Sequence, residues 1–295
     1  MAHARFDTTH LVSLDDTQAA IARLITDNKP GLVSRLGRSE AEVLTDFFGL
    51  KPSALFRRQR YRAKTRKLAS NNAGIRVADD ADLDRFALIY SAALTQVDVL
   101  GEWYVGRSTA LASRFLASNI VRGALSDLAP WQALTHGMRP WTLALAGKRV
   151  LVVHPFVQSI EAQYARRTAV TGLIEVLPEF ELLTLRPPVT FAGSVNDLAW
   201  DDHFTGLCQQ IAQVEFDVAI LGCGAYGLPA GAFIKQMGRT AIHLAGDTQL
   251  MFGVMGARWE STPASTAGRA DASWVRPLET ERPPQADGVE GACYW

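Results

Sequence analysis

The sequence predicts an α/β protein with a Rossmann-like, mostly parallel sheet flanked by helices, and with a helix-rich N-terminal part. From Lys148 onward, short apolar runs rich in Val, Ile and Leu alternate with longer segments of helical period. Strand, helix and strand in that rhythm are typical of a parallel sheet. A further apolar run at Gly31–Leu36 lies between helical segments and is expected to join the same sheet.

The individual elements follow from these periods. In the first half, helices are predicted at Asp16–Asp27, from near Ser39, at Asp82–Gln96 and at Arg107–Ala117. In the second half, the predicted strands are Arg149–Val153, Phe180–Leu185, Phe216–Leu221 and Thr240–Leu244. The helices between them are predicted at Gln158–Thr171, Trp200–Val214 and Leu228–Met237.

The chain is expected to have three parts. Residues 1–145 form the helix-rich part, which contributes one strand to the sheet, and residues 146–260 form the Rossmann-like part. Residues 261–295 begin with a stretch rich in Pro, Ala, Thr and Gly and are expected to be an extended tail. All three can belong to one domain.

Composition narrows the functional classes. Thirty basic and thirty acidic side chains cancel, so the overall charge does not favour nucleic acid as a partner. The cysteines Cys208, Cys223 and Cys293 lack metal-ligand spacing and favour a reducing compartment. Neither a secretion signal nor an apolar run of about 20 residues is found, so we expect no transmembrane segment and a cytoplasmic location.

Ligands of open α/β sheets bind beyond the carboxyl ends of the strands, so the residues at these positions are the first candidates for a site. The first strand runs into Arg35, Gly37, Arg38 and Glu40, which combine cations suited to phosphate with a glycine and a carboxylate. The same residues also fit a plain helix start, with Ser39 as the cap.

A histidine follows the strand Arg149–Val153. His154 is a candidate general base or hydrogen-bonding group for a substrate hydroxyl, although a structural role is at least as common at a strand end. The next predicted helix carries Gln163 and Arg166, which are candidate substrate-binding residues.

A glycine-rich run connects the third strand of this half to a helix. Gly222, Gly224, Ala225, Tyr226 and Gly227 are candidates for holding a phosphate on free backbone amides, followed by Lys235 on the helix. The spacing also matches a dinucleotide fingerprint, with Asp247 as ribose partner, but the run comes late in the chain for that role. A tight turn that serves packing alone is the structural alternative.

Polar residues are dense after the last predicted strand. The candidates here are His243, Gly246, Asp247, Thr248, Gln249 and Arg258. A basic run at Arg57–Lys67 is either a solvated face or an arm that meets pyrophosphate or an anionic acceptor, and the solvated face is favoured.

The stretch Phe216–Trp259 resembles the C-terminal signature of GT-D fold glycosyltransferases. The resemblance extends to Gly147–Phe156, to Asn71–Gly74, which adds Asn72 as a candidate binding residue, and to Cys293–Trp295, so most of the chain is covered.

In that family an Arg-x-Gly-x-x-Glu element follows the first strand, and Arg35, Gly37 and Glu40 match it. The resemblance implies Glu40 as a ligand of Mn²⁺ or Mg²⁺ within an Asp-x-Glu motif, but Arg38 occupies the Asp position. Either the metal is weakly held, or Asp247 replaces a ligand, or Arg38 itself supplies the positive charge.

The resemblance implies a glycosyltransferase that moves a sugar from a nucleotide sugar, expected to be a UDP-sugar, to a hydroxyl of a saccharide or small acceptor. Glu40, His154 and Asp247 are the catalytic candidates. Two other functions remain open at this point, a nicotinamide-dependent oxidoreductase using the glycine run and a nucleotide-binding module without activity.

Overall fold

The computed structural model describes residues 10–48, 55–103, 114–190, 198–260, 266, 268–283, 286–288 and 291–295. For residues 55–61, 71, 72 and 288 it describes the backbone alone. Seven strands, all parallel, form one sheet in the order β3-β2-β1-β7-β6-β4-β5. The predicted α/β class with a parallel sheet is therefore confirmed.

The strands are short. Their bounds are β1 Gly31–Arg35, β2 Val99–Glu102, β3 Val121–Ala124, β4 Arg149–Val153, β5 Glu181–Leu185, β6 Val218–Leu221 and β7 Thr240–His243. The first strand pairs with β7, so strands from both halves of the chain share the sheet. The five predicted strands are all present, whereas β2 and β3 were not predicted.

The α-helices connect and cover these strands. They are Leu14–Thr26, Arg38–Phe47, Leu55–Leu68, Asp80–Leu94, Pro130–Thr135, Val157–Ala165, Trp200–Ala212, Gly227–Gln236, Asp247–Met251 and Ala257–Glu260. Leu55–Leu68 was not predicted, because its charged sequence has no apolar stripe. Of the predicted helix Arg107–Ala117, residues 107–113 lie outside the described residues and 114–117 are not helical.

Two apolar cores lie on the two faces of the sheet. Alternate residues of each strand point to opposite faces, so Leu151 packs into one core and Val152 into the other. The helices Arg38–Phe47, Asp80–Leu94 and Gly227–Gln236 cover the first face. Leu14–Thr26 and Val157–Ala165 cover the second, together with Trp259 and Trp274. Burial on both faces explains why β4, from its second residue, and β6 are continuously apolar.

No helix in the described part of the chain is both long and apolar enough to cross a membrane.

Candidate active site

The candidate residues after β1, β4, β6 and β7 meet at one edge of the sheet. Since β1, β7, β6 and β4 are neighbours and all run in the same direction, their carboxyl ends form a continuous rim. This is the edge at which open α/β sheets bind ligands.

Arg35 is the electrostatic centre of this rim. It is half-buried at the end of β1, and its guanidinium carbon lies 4.9 Å from the ring centroid of Trp103. Its positive charge acts on the carboxyls of Glu40 and Asp247. Yet within the described residues Arg35 has no carboxylate within ion-pairing distance, and neither has the exposed Arg38. Neither guanidinium group is therefore neutralised by a described carboxylate.

Glu40 lies over the first turn of the helix Arg38–Phe47. A Cβ placed on Gly37, the residue that precedes this helix, would lie 2.0 Å from Oε2 of Glu40. Position 37 therefore has to be glycine for Glu40 to fold back in this way. Burial raises the pKa of the Glu40 carboxyl, and the charge of Arg35 opposes that rise. At the start of its helix, the charged form of the Glu40 carboxyl is also stabilised by the helix dipole.

The residues present do not form a protein-held metal site. Glu40 is directed to its own helix start, and Arg38 stands where the second carboxylate of the motif is expected. Among the described residues, no group of three or more His, Cys, Asp or Glu side chains converges in a way that suits a metal ion. A metal cation beside Arg35 and Arg38 would also be repelled by both guanidinium groups.

His243 ties the ends of β7 and β1 together. Its Nδ1 lies 3.0 Å from Oγ of the buried Ser34, and the ring packs against Gly227, where a Cβ would lie 2.3 Å from Nε2. Burial, aided by the charge of Arg35, lowers the pKa of His243 to about 3. His243 is therefore neutral at physiological pH and sits behind the rim.

His154 has a defined tautomer. Its Nδ1 accepts a hydrogen bond of 3.0 Å from the backbone N–H of Phe156, and burial lowers its pKa to about 3. The ring is therefore neutral with its proton on Nε2, because Nδ1 is used as an acceptor. Nε2–H has no acceptor among the described residues, so His154 offers a hydrogen bond to a ligand and is poorly suited to act as a base.

Asp247 is suited to accept a proton. It is half-buried at the start of the helix Asp247–Met251, and its carboxylate has no hydrogen bond or ion pair to any described residue. Burial raises the pKa of the Asp247 carboxyl, while the charges of Arg35 and Arg258 limit the rise. A carboxylate in such surroundings is more basic than an exposed one.

A cavity of about 100 Å³ opens beside these groups. Apolar and aromatic side chains make up most of its wall, with two polar residues among them: Ala73, Phe156, Tyr294, Trp295, His154 and Gln249. The wall is completed by Pro155, Gly222, Gly224, Ala245 and Gly246.

The glycine run is largely explained by packing. A Cβ on Gly222 would lie 2.3 Å from the ring of His154 and 2.8 Å from Thr248, and Gly227 similarly makes room for His243. Gly224, with φ of +55°, requires the left-handed conformation and lines the cavity. Two of the three fingerprint glycines thus serve neighbouring side chains.

Several predicted site residues are structural in their contacts. Tyr226 stacks on Trp200 at 5.1 Å and shares a hydrogen bond with Thr190, and Ala225 is buried beside it. Thr248 is buried, and its hydroxyl has no partner in the described part of the chain. Arg258 donates a hydrogen bond of 2.9 Å to the hydroxyl of Tyr294, and Tyr294 in turn lines the cavity.

The structure does not bring Lys235, Gln163 or Arg166 to the rim. Lys235 binds Asp98 and the carbonyl of Gln96 at the opposite, amino-terminal edge, because its helix runs back from the rim. Gln163 and Arg166 bind each other and the carbonyl of Ser273. The side chain of Asn72 lies outside the described part.

The basic run Arg57–Lys67 is partly neutralised: of the four basic side chains that the structure describes there, two form ion pairs. Arg62 pairs with Asp80 and Asp84, and Arg66 also pairs with Asp80. These contacts agree with a structural role. The side chains of residues 57–61 lie outside the described part.

Sequence reasoning missed Trp103, Tyr294 and Trp295 as parts of the site. Trp103 directly follows β2, and its position after a strand could have indicated it had β2 been predicted. Tyr294 and Trp295 belong to the segment Cys293–Trp295, to which the family resemblance extends, and that resemblance is the signal that could have indicated them.

The fold and the rim define an α/β protein whose candidate site residues lie at the carboxyl edge of a parallel sheet. A solved structure described as a selenomethionine-substituted domain of unknown function 1792 (DUF1792) is similar over 92% of this chain and 98% of that chain, with 10% identity and a TM-score of 0.47. No family model matches the chain. No curated protein matches it either.

Proposed function

We propose that the protein is a glycosyltransferase that moves a sugar from a nucleotide sugar, a UDP-sugar, to a hydroxyl of a saccharide or other small acceptor. The observation that carries this proposal is the pair Arg35 and Arg38, without carboxylate partners in the described part, at the edge where α/β sheets bind ligands. The sequence resemblance to GT-D fold glycosyltransferases points to the same function.

The two arginines meet the main requirement of this reaction. The bond between the anomeric carbon and the diphosphate breaks, and negative charge develops on the departing diphosphate. A guanidinium can bind phosphate oxygens in a bidentate manner and stabilise this charge. Arg35 is held in place by Trp103, so little reorganisation is needed. We therefore propose that the reaction does not depend on Mn²⁺ or Mg²⁺, and that Glu40 holds the helix start beside Arg35.

Asp247 and His154 take separate roles in the proposed mechanism. As the acceptor oxygen bonds to the anomeric carbon, its proton passes to the carboxylate of Asp247, which has no competing hydrogen bond among the described residues. The Nε2–H of His154 donates a hydrogen bond to the substrate.

Calorimetric titration with UDP, UDP-glucose, GDP-mannose and NADH, each with and without manganese, tests the proposal. We expect UDP and UDP-glucose to bind, and Arg35→Ala to weaken both about 10- to 100-fold, because a charge-assisted hydrogen bond contributes about 1.5–3 kcal/mol. Arg149→Ala is the matched control, since Arg149 pairs with Asp217 at the other edge. Binding of NADH alone would support the oxidoreductase instead.

Turnover is tested separately with Asp247→Asn. Loss of a general base typically lowers the rate by about 10²- to 10⁴-fold, and the affinity for UDP should remain within a factor of a few. Binding of UDP-sugars without hydrolysis or transfer to any acceptor in the wild-type protein would favour a binding module without activity.

A further inference from the structure

We propose that the cavity beside His154 binds the acylamido group of an N-acyl amino sugar, which makes the donor a nucleotide-linked 2-acylamido sugar. This inference rests on the proposed glycosyltransferase function and names its substrate class.

The size and walls of the cavity suit a small group with an apolar end. Its volume is about 100 Å³. A dry protein cavity of about 150 Å³ accommodates benzene, and an acetamido group is smaller than that ring. Phe156 and Trp295 pack edge to face at 5.6 Å and form the aromatic wall, against which a methyl group gains contact area.

One polar group in the wall is a hydrogen-bond donor. His154 is 3% exposed and lines the cavity, and Nδ1 is committed to the backbone N–H of Phe156. The proton is therefore on Nε2, which lacks an acceptor within the described residues. A carbonyl oxygen of a ligand in the cavity can accept a hydrogen bond from this donor.

The other polar group is an acceptor. Gln249 is 1% exposed, and its Nε2 donates to the carbonyls of Val254 and Tyr294 at 3.3 and 3.2 Å. Both neighbours are acceptors, so the amide orientation is fixed. Oε1 then has no donor among the described residues, and the N–H of an acylamido group supplies one. Donor and acceptor together match an amide.

The cavity also lies where a donor sugar is expected. Arg35 acts electrostatically on Tyr294, which lines the cavity, and on Asp247, which follows the lining residue Gly246. A diphosphate on Arg35 thus places the attached sugar between the arginine and the cavity. The 2-position of that sugar is next to the anomeric carbon, so its substituent can enter the cavity while Asp247 faces the reacting centre.

The same hydrogen-bond pattern occurs in the imide edge of a pyrimidine base. Titrations with UDP, UDP-glucose and UDP-N-acetylglucosamine distinguish a cavity that binds the acylamido group from one that binds the base. We expect the wild-type protein to bind UDP-N-acetylglucosamine at least about tenfold more tightly than UDP-glucose, because one or two net hydrogen bonds distinguish the ligands.

Two variants of His154 provide a matched pair. In His154→Asn, the side-chain oxygen can still accept from Phe156 N–H, but the donor of Nε2 is lost. We expect the preference for UDP-N-acetylglucosamine to fall to less than about threefold, with UDP affinity unchanged. His154→Gln can place an N–H near the position of Nε2, and we expect it to retain part of the preference. Circular dichroism checks that both variants are folded.

The outcomes distinguish this inference from the proposed function. Equal affinity of the wild-type protein for the two sugar nucleotides overturns the acylamido site. An equal loss of affinity for all three ligands in His154→Asn also overturns it and assigns the cavity to the base. If the wild-type protein binds none of the three nucleotides, or if Arg35→Ala leaves their affinities unchanged, the proposed function itself fails.

Discussion

The Oγ of Ser34 lies 3.0 Å from Nδ1 of His243, and this contact links the ends of β1 and β7 inside the protein. The preceding residues Val33 and Ile242 are the last paired residues of these two strands, so the side-chain hydrogen bond joins the strands one residue further on. Neither side chain is more than 3% exposed. The first half of the chain is thereby fixed to the second where the ligand is expected.

Ser34→Ala should lower the free energy of unfolding by about 1–3 kcal/mol, because it leaves a buried imidazole nitrogen without its partner. Chemical denaturation measures the change. Ser126→Ala is the control, since Ser126 is exposed and binds only Asp127 with its hydroxyl. An equal effect of both substitutions would show that the buried pair adds nothing to stability.

Stability should decrease as the pH falls from about 6.5 toward 3. Burial lowers the folded-state pKa of both His154 and His243 to about 3, whereas an unfolded histidine titrates near 6.5. In this window the unfolded chain binds protons that the folded chain does not. Each histidine therefore contributes a slope of up to about 1.4 kcal/mol per pH unit, and this stabilisation is complete above about pH 6.5.

Denaturation at several pH values measures this slope, and His154→Asn should reduce it. Glu40 and Asp247 act in the opposite direction in the acidic part of the window, because burial raises the pKa of each carboxyl. The cleanest comparison is therefore between pH 5 and 6.5. A stability that is constant over that range would contradict the burial of two neutral histidines.

Gly227→Ala should destabilise the protein by about 1–3 kcal/mol, because the added Cβ would lie 2.3 Å from the ring of His243. Gly206→Ala is a matched control in the helix Trp200–Ala212, where an added Cβ meets nothing within 4 Å. That substitution should stabilise by about 0.5–1 kcal/mol, since alanine favours helices. Thermal or chemical unfolding should thus show opposite signs.

Ala245→Gly should stabilise the folded chain by roughly 1 kcal/mol. Ala245 has a φ of +54°, a conformation that is strained for alanine and free of strain for glycine. The same substitution at exposed Ala92, inside the helix Asp80–Leu94, should instead destabilise by about 1 kcal/mol. If Ala245→Gly destabilises the protein as much as Ala92→Gly does, the positive φ of Ala245 does not strain the folded chain.

The fold was predictable where the sequence period was strong. The strand Arg149–Val153 matches its prediction residue for residue, and the helix Gly227–Gln236 differs from its prediction by one residue at each end. In contrast, β2 and β3 each carry a glycine at the third of their four positions, next to a charged residue, so neither forms an uninterrupted apolar run. Their conformation depends on pairing with β1, which is a contact distant in sequence.

The sequence by itself determined the parallel sheet and placed Arg35, His154 and Asp247 at or beyond strand ends, because apolar runs and helical periods are local patterns. Only the tertiary structure decided what these residues can do. The tautomer of His154 depends on the N–H of Phe156, and the absence of a partner for Asp247 depends on the packing of its surroundings. Lys235 shows the same limit, because its distance from the rim follows from the direction of its helix and from Asp98. The protonation state and the hydrogen-bond partners of a side chain depend on residues that are close in space but distant in sequence, and the sequence pattern does not show which residues these are.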